Sequence, residues 1–186
     1  MSVSTDSNAS SRLPLAAAIG LGANLGDPVA TMLESVRRLE ARGWYGSRLS
    51  SFYLTAPVDC IPGTPDFVNA AVTGHWPGSP VALRHACAEI ERQLGRSEVR
   101  GKDRARTIDL DILLLDQLVL REQRLQVPHP LLTKRLFVLV PLAEIAGDWP
   151  VPLDRGRRTV SALAEDLRRR TPDFDRRIRL LTLPQA

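Results

Sequence analysis

Apolar positions along this chain change their period several times, and each change marks an element. Residues 15–21 (LAAAIGL) form a short continuous apolar run, the pattern of a buried strand. A turn rich in Gly, Asn and Asp closes the run at residues 22–28 and places Pro28 in the first turn of a helix,. In that helix Val29, Met32, Leu33, Val36 and Leu39 recur at helical spacing, Arg37, Arg38 and Glu40 take the other face, and Gly43 ends it,. Residues 47–55 then read as a strand, 56–65 as a loop with three prolines and a glycine, and 66–76 (DFVNAAVTGHW) as a further strand,. Leu83, Cys87, Ile90 and Leu94 line one face of a second helix, with Ser79 as its N-cap and Gly95 as its stop,. After a polar stretch, residues 107–115 (TIDLDILLL) form a strand; short strands near 118–120 and 124–127 lead to Pro128-His129-Pro130, and helices follow over 136–145 and 159–170. Helices interleaved with strand pairs favour an α+β sandwich over a doubly wound sheet.

Composition narrows the class. With 186 residues, 44% hydrophobic and 25% charged, the chain can bury one core and is not disordered throughout. We expect one domain over 15–170, with a disordered Ser-rich leader at 1–14 and a C-terminal tail at 171–186. The net charge of +4 is confined to the end: residues 1–150 carry 16 basic against 16 acidic side chains, residues 151–186 carry 9 arginines against 5 acids. A nucleic-acid module would have to use that arginine-rich tail, but its interspersed acids and scarce aromatics favour a helix with a solvated face. The two cysteines, Cys60 and Cys87, make no CxxC pair or zinc spacing,. No apolar run reaches the ~20 residues of a membrane span, so a cytoplasmic protein is expected.

Candidate chemistry concentrates around the strand at 107–115. Alternation puts Ile108, Leu110, Ile112 and Leu114 on one face and Thr107, Asp109, Asp111 and Leu113 on the other,. The two carboxylates therefore stand roughly 7 Å apart on one side of an otherwise apolar strand. Such a pair calls for a compensating cation, and hard oxygens without neighbouring His or Cys suit Mg²⁺ shared with substrate phosphates. Solvation or pairing with arginines is the competing account. Arg96, Arg100, Lys102, Arg104 and Arg106 crowd the segment just before the strand, and Arg124 and Arg135 follow it; cations beside a metal-binding pair are the parts for holding a polyphosphate. The P-loop pattern is missing, and Gly20, Gly22 and Gly26 miss the dinucleotide spacing by one residue and read as a tight turn,. A metal-dependent glycosyltransferase would share the Asp-x-Asp pair.

The chain resembles the 6-hydroxymethyl-7,8-dihydropterin pyrophosphokinases of folate biosynthesis, through collinear motifs. These are AAIGLGANLGD (17–27), SSFYLTAP (50–57), PDFVNAAV (65–72), RTIDLDIL (106–113) and VPHP (127–130). The resemblance implies a ferredoxin-like βαββαβ core, a mostly antiparallel sheet with helices packed on its faces. It implies transfer of pyrophosphate from ATP to the pterin hydroxymethyl oxygen, giving AMP and the pterin diphosphate, with two Mg²⁺ ions held by Asp109 and Asp111. Arg96, Arg106, Asp109 and Asp111 would be the catalytic set. Glu91, Arg96, Arg106, Ile112, His129 and Arg135 would bind ATP, and Thr55, Val58, Phe67, Asn69 and Phe137 the pterin, Phe67 and Phe137 as its two aromatic walls. The implied partners are these small molecules alone, with no nucleic acid or membrane, for a monomer. Where the family carries Trp-Gly-Pro-Arg or a close variant, this chain has Asp103-Arg104-Ala105-Arg106, so the loop tryptophan is missing.

Overall fold

Among the described residues every strand pairing is antiparallel, and the central pairings fix which side chains share a face. In the computed structural model, which describes residues 13–57, 62–96 and 106–182, the chain runs β1 (Leu15–Ala23), α1 (Pro28–Glu40), β2 (Tyr45–Leu49), β3 (Tyr53–Thr55), β4 (Phe67–Trp76), α2 (Pro80–Gln93) and β5 (Asp109–Leu115). It continues through a hairpin, β6 (Leu120–Glu122) and β7 (Leu125–Val127), then α3 (Leu136–Ala146) and a second hairpin, β8 (Pro150–Leu153) and β9 (Gly156–Thr159). Last come α4 (Val160–Arg169), the short α5 (Phe174–Arg177) and β10 (Ile178–Leu180). The main sheet is ordered β10-β3-β4-β1-β5, with β2 also pairing β4. Counting β2 and β3 as one broken strand, this is the βαββαβ core.

The sheet lies between two helical layers. Ile19, Leu21, Val68 and Val72 project toward α1 and α2, where they meet Met32, Leu39, Leu83 and Ile90. Ala18, Ala71 and Leu113 project the other way, against Leu139, Leu142 and Leu163 of α3 and α4. Both helices on the first side begin with a capped proline turn: the Asp27 carboxylate accepts from the Ala30 N–H and the Ser79 hydroxyl from the Ala82 N–H, as such starts favour. In α1 the buried stripe includes Ser35, whose hydroxyl donates to the Met32 carbonyl at 2.7 Å, while Leu33 stays 40% exposed.

Several boundaries differ from the sequence pattern. The strand expected over 47–55 is broken at residues 50–52, because Ser50 turns its hydroxyl to the Ala71 N–H and Ser51 gives its N–H to Glu144 of α3. The first strand extends to Ala23, so Gly20 and Gly22 lie within it, and only Gly26, at φ +66°, belongs to a turn. Leu114 leaves the face of Ile112. The β1–β5 register slips between Ala18 and Ile19, leaving Leu113 as an extra residue; Leu113 and Leu114 both enter the α3 side, as a bulge requires. Beyond residue 170 the chain still adds to the sheet: Ile178–Leu180 pairs with Tyr53–Thr55, because Ile178 is apolar and buried.

Candidate active site

The alternation of β1, β4 and β5 builds the floor of a cleft. On the α3 side, Gly22 of β1 sits between Asp109 of β5 and Asn69 of β4, and Gly20 sits between Asp111 and Ala71. The glycines put no side chain into these rows, so a trough separates the carboxylates from Asn69. A Cβ on Gly22 would lie 3.6 Å from the Asn69 Oδ1. Asn69 is buried and donates from Nδ2 to the Thr55 hydroxyl at 2.8 Å. Phe67 of β4 and Phe137, at the start of α3, face the same cleft, and the Arg135 guanidinium lies 5.4 Å above the Phe137 ring.

A second cleft opens on the other side of β5, which is the sheet edge. Its walls are α2, through Arg84, Cys87 and Glu91, and the β6–β7 hairpin with His129. Asp109 and Asp111 line both clefts. The free edge of β5 is held by side chains and loop backbone: Glu91 Oε1 accepts from the Leu110 N–H at 2.7 Å, and the Leu113 carbonyl accepts from the His129 N–H at 3.0 Å. Arg96 pairs with both Glu91 and Asp109, at 2.8 Å to Asp109, and Arg106 also pairs with Asp109.

The electrostatics follow from burial beside like charge. Burial, then the neighbouring Asp109, raises the Asp111 carboxyl above its ordinary range, against the lowering influence of His129, Arg135 and Arg106. Burial likewise pushes Glu91 up to about 7, although the Leu110 N–H and Arg96 favour its charge. His129 is lowered, mainly by burial; its Nδ1 accepts from the Leu131 N–H at 3.2 Å, which leaves Nε2 to carry the proton of the neutral ring. Cys87 is pushed up to about 12 by burial, then by Glu91 and Asp111, so it is a thiol at neutral pH and a poor nucleophile.

The donor set suits a hard cation. Asp111 is a crowded carboxyl beside another, and a divalent ion would relieve both desolvation and repulsion. Asp109 and Asp111 line both clefts and could together hold a hard divalent cation, with waters and substrate oxygens completing its shell.

Thr55, Phe67, Asn69 and Phe137 fall together in the first cleft, Glu91, Arg96, Ile112 and His129 in the second. Arg106 and Arg135 line the first cleft with the carboxylates. Val58, like Arg100, Lys102 and Arg104, lies outside the described residues. Sequence reasoning missed Gly20 and Gly22 as floor residues, although their alternation with Ile19 and Leu21 was available. It also missed Arg84, which shares the cleft face of α2 with Cys87 and Glu91 at spacings of three and seven residues,.

Comparison with known proteins is consistent along the chain. The model of the 7,8-dihydro-6-hydroxymethylpterin-pyrophosphokinase family matches residues 18–147. The 2-amino-4-hydroxy-6-hydroxymethyldihydropteridine pyrophosphokinase of Synechocystis is 36% identical over 152 residues, 81% of this chain and 75% of its own length. That of Bacillus subtilis is 40% identical over 129 residues, 68% of this chain and 75% of its own length. Among solved structures, the Plasmodium falciparum HPPK-DHPS A437G protein with pteroate superposes with a TM-score of 0.67 at 12% identity, over 92% of this chain. This chain spans about half of that one, 47%, and the likeness speaks to the fold.

Proposed function

The chain belongs to the 7,8-dihydro-6-hydroxymethylpterin-pyrophosphokinase family, and from that premise we propose that it transfers the pyrophosphoryl group of ATP to the hydroxymethyl oxygen of 6-hydroxymethyl-7,8-dihydropterin. The products are AMP and the pterin diphosphate. One observation carries the reading: two clefts of different chemistry meet at one carboxylate pair, Asp109 and Asp111. The first, with two phenylalanines and an amide–hydroxyl pair, suits a flat heteroaromatic with a hydrogen-bonding edge. The second, cationic along Arg84, Arg96 and Arg124, suits a nucleotide.

In this reading Phe67 and Phe137 stack on the pterin, and Asn69, braced by Thr55, reads its edge. Asp109 and Asp111 would hold two Mg²⁺ ions, which when bound neutralise phosphate oxygens and polarise the phosphorus. Arg96 and Arg106 hold Asp109 in place and can turn guanidinium N–H groups to the charge that develops on the leaving AMP and the transferred group. His129, neutral with its donor at Nε2, and Arg135 hold phosphate oxygens. Ile112, on the α2 side, packs against the nucleoside. Positioning and electrostatics suffice, with no covalent enzyme intermediate.

The test is AMP release that requires hydroxymethyldihydropterin and Mg²⁺ together. Asp109→Ala and Asp111→Ala are each expected to reduce it by on the order of 10²-fold or more. Full activity in either variant would sink the carboxylate assignment.

A further inference from the structure

Asn24 belongs to the GANLGD motif, yet it lines neither cleft. It lies just past β1, only 7% exposed, and its polar groups reach two distant segments. Its Oδ1 accepts from the Arg106 N–H at 2.6 Å, and its own N–H donates to the Arg106 carbonyl at 3.0 Å. Its Nδ2 donates to the Pro65 carbonyl at 3.1 Å. Arg106 carries the guanidinium paired with Asp109, and Pro65 stands two residues before Phe67 of the aromatic cleft.

We infer that Asn24 is a positioning residue that sets Arg106 and the strand entrance leading to Phe67 in a fixed relation, so that the phosphate-binding and ring-binding halves of the site close on one geometry. The inference rests on the pyrophosphokinase reading and deepens it. A primary amide is the side chain that fits, since it offers an acceptor to one segment and a donor to the other from one planar group. Asp keeps the acceptor for Arg106 and loses the donor to Pro65. Ala loses both and leaves the Arg106 N–H and the Pro65 carbonyl without side-chain partners. The two substitutions therefore separate the two arms.

The experiment is steady-state AMP release by wild type, Asn24→Ala and Asn24→Asp, with KM measured separately for ATP and hydroxymethyldihydropterin, beside thermal melts. Misplacing Arg106 by about 1 Å is expected to lower kcat of Asn24→Ala on the order of 10²-fold, with a raised pterin KM. Asn24→Asp is expected to hold kcat within about threefold and ATP KM near wild type while pterin KM rises on the order of 10-fold, as for one lost hydrogen bond of about 1.4 kcal/mol. Variants that melt earlier but keep kcat and both KM values within about twofold would overturn the inference. So would variants impaired identically in every parameter, which a general loss of packing would produce. A wild-type protein inert with both substrates and Mg²⁺ would overturn the pyrophosphokinase reading itself, and this inference with it.

Discussion

At the residue scale, Phe137 has the most separable role. It is half-buried at the start of α3, with Arg135 over its ring, and it lines the aromatic cleft together with Phe67. Stacking of a heterocycle on such a ring contributes ~1–3 kcal/mol by alanine substitution. Phe137→Ala is therefore expected to raise the pterin KM about 10- to 100-fold and leave the ATP KM within about twofold, read from initial rates with each substrate varied. Tyr53 offers a test of pH dependence. Burial first, then its hydrogen bond to Glu144, holds its phenol up to about 12, against about 10 in an unfolded chain. Between those values the folded state keeps a proton that the unfolded state has released, so stability falls as pH rises from 10 toward 12. Urea midpoints across that range should fall less in Tyr53→Phe than in wild type; equal slopes would remove Tyr53 from the account.

At the element scale, the pairing of β2 with β4 depends on a close approach. The Trp44 indole, 2% exposed, lies over Gly74, where a Cβ would come within 2.4 Å of Nε1 and 2.5 Å of Cε2. Trp44 is a large ring in the core and cannot step aside at little cost. Gly74→Ala should destabilise the protein by about 1–3 kcal/mol, seen as a melting temperature lowered by roughly 2–4 °C per kcal/mol for a chain of this size. Strand β5 is organised differently. As the sheet edge it has unpaired backbone groups, which Glu91 and the His129 backbone satisfy, and the same partners border the second cleft. The bulge at Leu113 ends the regular alternation just after Asp111, so the two aspartates face the α3 side while the apolar residues that follow divide between both layers.

At the scale of the whole molecule, the chain's last strand supports the far wall of the site. Strand β10 covers the edge of β3, the Leu181 N–H donates to the Phe52 carbonyl at 2.8 Å, and β3 carries Thr55. Ile178→Ala should cost about 2–4 kcal/mol in denaturant unfolding and raise the pterin KM, with ATP KM little changed. The arginine-rich end is also engaged within the fold: Arg158 and Arg169 both pair with Asp166, and Arg168 lies 4.8 Å over the Phe174 ring. What the sequence determined by itself was local or periodic. Helical spacing placed α1 and α2, proline and capping residues marked their starts, and alternation put Asp109 and Asp111 on one face, because these properties depend on neighbours within a few residues. Tertiary structure alone decided the rest. The first cleft joins β1, β3, β4, β5 and α3, with Thr55 and Phe137 82 positions apart in the sequence. Glycines that read as a turn became a floor, since pairing with β4 and β5 extended β1 through them. The bulge that moves Leu114 and the strand that follows residue 170 likewise depend on which backbone edge lies opposite, a property that no single segment contains.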